Sequence, residues 1–126
     1  MKIVVVIARV LLGAIFVFFG LNTFLRFLPA QLPPGLAGQF AGAMFQSHYL
    51  HVVSAIQVIG GALLLVNRYV PFALTILGPV IINILLFHFL MLPAGWPPGV
   101  LTAILWIVLF IHYRQYFSGI FVQRAS

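Results

Sequence analysis

Apolar positions do not alternate along this chain; they run on in four long blocks, interrupted where Pro, Gly or a charged residue intervenes. A half-exposed strand needs faces of opposite character, which such runs lack, and each block can supply the roughly 20 apolar residues that a helix needs to cross a hydrocarbon layer. In lipid every backbone N–H and C=O must be satisfied within a helix or a closed barrel, and unbroken apolar blocks select the helix. The sequence therefore reads as one all-α domain over residues 1–126, a four-helix transmembrane bundle with spans at about 3–28, 47–66, 70–92 and 98–117.

The first block follows Lys2 but far exceeds the ~7–15 residue apolar stretch of a signal peptide and lacks a small-x-small cleavage site, so it reads as a retained helix. The long first outer loop, 29–46, carries Pro33, Pro34 and Gly35, which break the helix; the following Leu36 to Phe45 predicts a short interfacial helix. Asn67-Arg68 leaves room only for a tight turn, so the second and third spans form an antiparallel hairpin. Gly78-Pro79 falls inside the third span and predicts a kink, because Pro lacks an N–H and crowds the preceding turn. Pro93-Ala-Gly-Trp-Pro-Pro-Gly makes the next hairpin, with Trp96 at one interface and Tyr113 and Tyr116 at the other. Lys2, Arg9, Arg68, Arg114 and Arg124 fall on one side against Arg26 on the other, which predicts cytoplasmic N and C termini.

Composition sharpens this picture mainly by what it removes. Among 126 residues there is no Asp, Glu or Cys, while Lys and Arg number 6. Ion pairs within the chain are excluded, except to a C-terminal carboxylate, as are acid–base chemistry by carboxylates and any thiol chemistry. Autonomous catalysis is therefore not expected. The basic residues are scattered singly, which excludes a nucleic-acid surface. Their countercharge must come from anionic lipid or from an acidic partner subunit, and Lys2, Arg9, Arg26, Arg68, Arg114 and Arg124 are the candidate contacts. Arg9 lies deepest, two turns or about 10 Å from Lys2, and either snorkels to the interface or grips an anion.

Ser47, His51, Ser54, Gln57 and Gly61 recur at steps of three and four and form one small, polar stripe on the second span. Arg9, Gly13, Phe16, Gly20 and Thr23 form a matching seam on the first, and the two are expected to pack together at about +20°. Intramembrane polar groups at Asn22, His51, Gln57, Asn83 and His88 are costly in lipid and raise a functional hypothesis. They either fix the bundle register by hydrogen bonding or grip a ligand such as a quinone headgroup between apolar walls. Haem or chlorophyll ligation by His51 or His88 is the other chemical option. His48 and His51 share a face, but no thiolate or carboxylate joins them, so no metal site is predicted.

Ile7-Ala-Arg9-Val-Leu-Leu-Gly13, leading to Phe16 and Gly20-Leu-Asn22-Thr-Phe24, resembles the first helix of the DoxX-like family of small four-helix bacterial membrane proteins. Ile59-Gly-Gly-Ala-Leu-Leu-Leu65, Asn67-Arg-Tyr-Val-Pro71, Ile82-Asn83 and Phe87-His88 look like the second and third helices of one branch. The resemblance implies an inner-membrane protein, of a family linked in part to membrane oxidoreductase assemblies, including a quinone-reducing thiosulfate oxidase. Relatives often carry an acidic residue where Gln57 stands and a Lys where Thr23 stands, with Arg26 one turn later, and thiol coupling suggested for some relatives has no counterpart here. The functional expectation is a non-catalytic accessory subunit of a respiratory or photosynthetic electron-transfer complex. A quinone-binding oxidoreductase component is the alternative, followed by a small-solute transporter or lipid-binding scaffold.

Overall fold

A computed structural model describes residues 2–26, 32–120 and 122–124. The described chain is helical: α1 (Lys2–Leu25), α2 (Gly35–Gln46), α3 (Tyr49–Val66), α4 (Val70–Met91) and α5 (Trp96–Tyr113), with short 3₁₀ turns at Pro93–Gly95 and Arg114–Phe117. Four helical segments are long and apolar enough to cross a membrane: Lys2–Leu25, Tyr49–Val66, Val70–Met91 and Pro93–Phe117. Helix α2 occupies the stretch where the sequence predicts a short helix after Pro33-Pro34-Gly35. The first span ends at Leu25, with Arg26 left-handed at φ 55°, and residues 27–31, which cover the rest of its expected run to residue 28 and the start of the loop, lie outside the described residues.

Leu12, Phe16, Leu64, Leu74, Leu77 and Leu109 form the buried centre where α1, α3, α4 and α5 meet. Around it the large apolar side chains point outward in all directions, among them Ile7, Phe19, Leu90 and Ile104, each about half exposed or more. A helix that is hydrophobic on every side suits lipid as its outer solvent.

The closest helix pair is α1 with α3, and glycine makes it possible. A Cβ on Gly13 would stand 2.8 Å from the Gly61 carbonyl oxygen, and one on Gly61 would stand 2.7 Å from the Gly13 carbonyl oxygen. Backbone therefore meets backbone, the arrangement that replaces hydrophobic driving force in lipid with dense van der Waals contact. One residue along, Gly60 makes room for the Leu77 side chain of α4, whose Cγ would stand 2.7 Å from an added Cβ.

Element boundaries shift from expectation for identifiable reasons. The second span begins at Tyr49 rather than 47, because His48 takes a left-handed conformation with φ 64° and the Ser47 hydroxyl accepts from the Tyr49 N–H. The final span starts at Trp96 rather than 98: Pro97 and Pro98 fit a first helical turn, where the missing N–H has no helical partner to lose. Its α-helix ends at Tyr113, and the remaining turn to Phe117 tightens to 3₁₀. Between α3 and α4 the turn is three residues long, with Asn67 and Tyr69 both left-handed at φ 57° and 53°.

Candidate functional site

Helix α3 presents two faces with opposite properties. One is sealed against α1; the other, with α2 and α4, walls a cavity of about 1050 Å³. That volume lies just above the roughly 300–1,000 Å³ typical of small-molecule sites. Its walls are mostly apolar, with Phe40 and Met44 from α2, Val53 and Ile56 from α3, and Phe72 and Phe87 from α4. The Phe40 and Phe87 rings stand 5.7 Å apart and tie α2 to α4 across one side of the cavity.

Into this apolar lining the fold brings Gln57, Asn83 and His88. Gln57 is at the ninth position of the 18-residue α3, midway through the span. Its side-chain amide makes no hydrogen bond to another described residue. Asn83 is partly satisfied, its Nδ2 donating to the Pro79 carbonyl at 2.9 Å. His88 Nδ1 lies 2.9 Å from the Ile84 carbonyl, an oxygen that can only accept, so Nδ1 carries the proton. Its Nε2 edge packs toward Gly95, where an added Cβ would come within 3.1 Å. At about 1.5 Å per residue, Asn83 and His88 are separated by about 7.5 Å along α4, which spreads the polar groups along the cavity rather than at one point.

The five polar residues singled out in the sequence do not form one constellation. Asn22 and His51 are not among the residues that line the cavity. His51 sits instead in an aromatic box, with ring centroids 5.4 Å from Phe24, 5.6 Å from Phe45 and 5.0 Å from His48. Its Nδ1 is buried without a hydrogen-bond partner among the described residues. His51 and His88 thus face different surroundings, and the described residues bring together no group of three or more His, Cys, Asp or Glu able to hold a metal ion.

Along the sealed face, the small and polar side chains are used for packing. The Thr23 and Ser54 hydroxyls hydrogen-bond across α1 and α3 at 2.7 Å. Arg9 Nη1 donates to the Leu64 and Leu65 carbonyls in the last turn of α3. Those carbonyls carry the negative end of the helix dipole, and only that of Leu64 also accepts a backbone N–H, from Asn67, so the guanidinium serves as a C-terminal cap. This intramolecular role is additional to the snorkelling and anion-gripping readings. At the opposite end Arg26 stands 5.4 Å from the Phe45 ring centroid, a cation–π contact. Lys2, Arg68, Arg114 and Arg124 are exposed.

One residue with a clear role was not legible beforehand. Trp106 in α5 donates its Nε1–H to the Leu74 carbonyl of α4 at 2.8 Å, and its ring lies over Gly78, where an added Cβ would stand 3.4 Å away. The indole thus covers α4 one turn before the Gly78-Pro79 pair, where glycine leaves room for its ring. The signal in the sequence was the Gly-Pro pair; its partner 27 residues from Pro79 emerges only on folding. No family model, curated protein or solved structure matches this chain, so the likeness to the DoxX-like family rests on the motifs quoted above.

Proposed function

We propose that this chain binds a membrane-soluble ligand of the quinone class between α2, α3 and α4, as a non-catalytic subunit of a membrane electron-transfer assembly. The observation that carries this reading is the Gln57 amide, unpartnered among the described residues and set midway along a span in the wall of a 1050 Å³ apolar cavity. An amide left without a partner in hydrocarbon costs on the order of several kcal/mol, whereas a ligand carbonyl would accept its N–H and an isoprenoid tail would fit the Phe and Ile walls. A chain without thiols or carboxylates can hold such a ligand but offers no electron carrier of its own, so reduction falls to a cofactor of a partner subunit. The DoxX-like resemblance, through the family's links to quinone-reducing assemblies, supports the same reading, with both termini in the cytoplasm of a bacterium.

The test uses the purified full chain in phosphatidylcholine nanodiscs titrated with a ubiquinone or menaquinone of short tail, with bound ligand read by native mass spectrometry. Gln57→Leu should weaken binding about tenfold or more, the loss of one well-placed hydrogen bond at about 1.4 kcal/mol per decade. His51→Ala, outside the cavity, should leave it within about twofold of wild type, well below 1 kcal/mol. Equal retention by wild type and Gln57→Leu, or no quinone retention at all, would overturn the site. Recovery of the chain from mild-detergent membranes without redox subunits would remove the assembly half of the reading while leaving the site intact.

A further inference from the structure

A second, smaller pocket lies at the opposite end of the bundle from α2, about 170 Å³ in volume and lined by Lys2, Val5, Val6, Arg9, Asn67, His112 and Tyr113. It gathers the start of α1, the residue that ends α3 and the last turn of α5. Every polar side chain in its lining can donate a hydrogen bond, and two carry a permanent positive charge. Nothing within the chain can neutralise them by an acidic side chain, because the sequence contains no Asp or Glu.

The negative end of α3 does not saturate this positive charge. Arg9 uses Nη1 on the Leu64 and Leu65 carbonyls, which leaves the Nε and Nη2 donors of its five-donor fork outside those two bonds. The Asn67 N–H also reaches Leu64 O, and the Arg68 N–H reaches Leu63 O, so the last turn of α3 is covered from its own backbone as well. The Lys2 ammonium, the Asn67 amide, the His112 ring and the Tyr113 hydroxyl make no hydrogen bond to another described residue. Room for a polyatomic anion is present, since one water requires only roughly 10–15 Å³ of such space. The depth also fits: Lys2 marks the helix end and Arg9 lies about 10 Å further in, a span that brackets the headgroup level of a leaflet.

We infer that Lys2, Arg9, Asn67, His112 and Tyr113 form a binding site for a phosphate group. The phosphate comes either from the headgroup of an anionic lipid or from free inorganic phosphate, and both offer the same acceptor oxygens to the same donors. Arg9 then joins two tasks, holding the end of α3 with one nitrogen and the anion with the others, so that binding locks α1, α3 and α5 together. This site is independent of the α2–α3–α4 cavity and stands whether or not a quinone binds there.

The test compares retention of phosphatidylglycerol and phosphatidylcholine by the full chain, using mixed-lipid nanodiscs and native mass spectrometry after release. The expected result is preferential retention of phosphatidylglycerol by wild type. Lys2→Gln combined with His112→Gln should lower that preference about fivefold or more, the effect of roughly one kcal/mol per surface cation. Arg26→Gln, at the other end of the bundle, serves as the control for general charge and should leave retention unchanged. Displacement of the lipid by added inorganic phosphate would identify the free ion as a competent ligand, and resistance to displacement would assign the site to the lipid headgroup. Because Arg9→Leu also uncaps α3, the Lys2 and His112 changes carry the decision. Wild-type retention in the Lys2/His112 double variant, or an equal loss in Arg26→Gln, would overturn the inference.

Discussion

The two sides of α3 repay comparison. Toward α1, Gly61, Ser54 and the last-turn carbonyls are matched by Gly13, Thr23 and Arg9, and each polar group named has a partner across the seam. Toward α2 and α4, Val53 and Ile56 face a cavity; Gln57, whose Cβ would stand 3.3 Å from one added to Gly20 of α1, lies at the border of the two faces and brings to the cavity an amide without a partner among the described residues. Both faces carry polar residues, so polarity alone does not mark a site. The difference lies in what surrounds them: small residues that admit a neighbouring backbone make a seam, whereas large apolar residues that hold the helices apart make a pocket.

The most severe way to break this contrast is to put a side chain into the seam. Gly61→Val would press its Cβ against the Gly13 carbonyl at 2.7 Å and the Val17 backbone nitrogen at 3.0 Å, neither of which can swing away. The expected cost is about 3 kcal/mol of unfolding free energy, measured by denaturant titration in mixed micelles. Gly119→Ala, at a position with nothing within 4 Å, should stay within about 0.5 kcal/mol of wild type. If the two changes prove equally mild, the close approach of α1 and α3 is wrong.

On the cavity side the sign should reverse. Gln57→Leu removes an unpartnered amide from an apolar wall and should stabilise the ligand-free protein by about 1 kcal/mol in the same titration, even while it weakens quinone binding about tenfold. A destabilisation of that size would mean that Gln57 has a structural partner and belongs to the seam. The smallest effect concerns the Thr23–Ser54 hydrogen bond. A double-mutant cycle of Thr23→Val and Ser54→Ala should give a coupling of about 0.6 kcal/mol, the usual scale for such bonds between membrane helices. Additive single effects would show that glycine packing alone defines the seam.

Much of this was legible because the relevant signals are periodic. The three- and four-residue spacing of Gly13, Gly20 and Thr23 against Ser54 and Gly61 identifies both partners of the seam, since few other arrangements allow small residues a use in lipid, but Ser47 and Gln57 of the same stripe line the cavity and His51 sits among aromatic rings. The partition of Asn22, His51, Gln57, Asn83 and His88 was not legible. Gln57 and His51 lie six residues apart on one helix, and whether each meets a cavity or an aromatic box depends on Phe24, Phe45 and Phe87, residues that look the same in sequence whether they face lipid, ligand or protein. Arg9 was similarly ambiguous, because the carbonyls it caps belong to residues 55 and 56 positions away.

The sequence by itself determined the solvent and the local elements of this protein. Unbroken apolar blocks require helices in lipid, a chain without acidic side chains cannot neutralise its own cations, and Pro and Gly punctuate the spans. Only the tertiary structure decided which polar groups are satisfied. It brought Lys2, Asn67 and His112 to one pocket and closed Arg9 onto α3, while leaving Gln57 facing a cavity. The physical reason is that helical periodicity acts over a few residues and fixes which side chains share a face, whereas partnership depends on which helix lies opposite and how closely the side chains between allow it to approach.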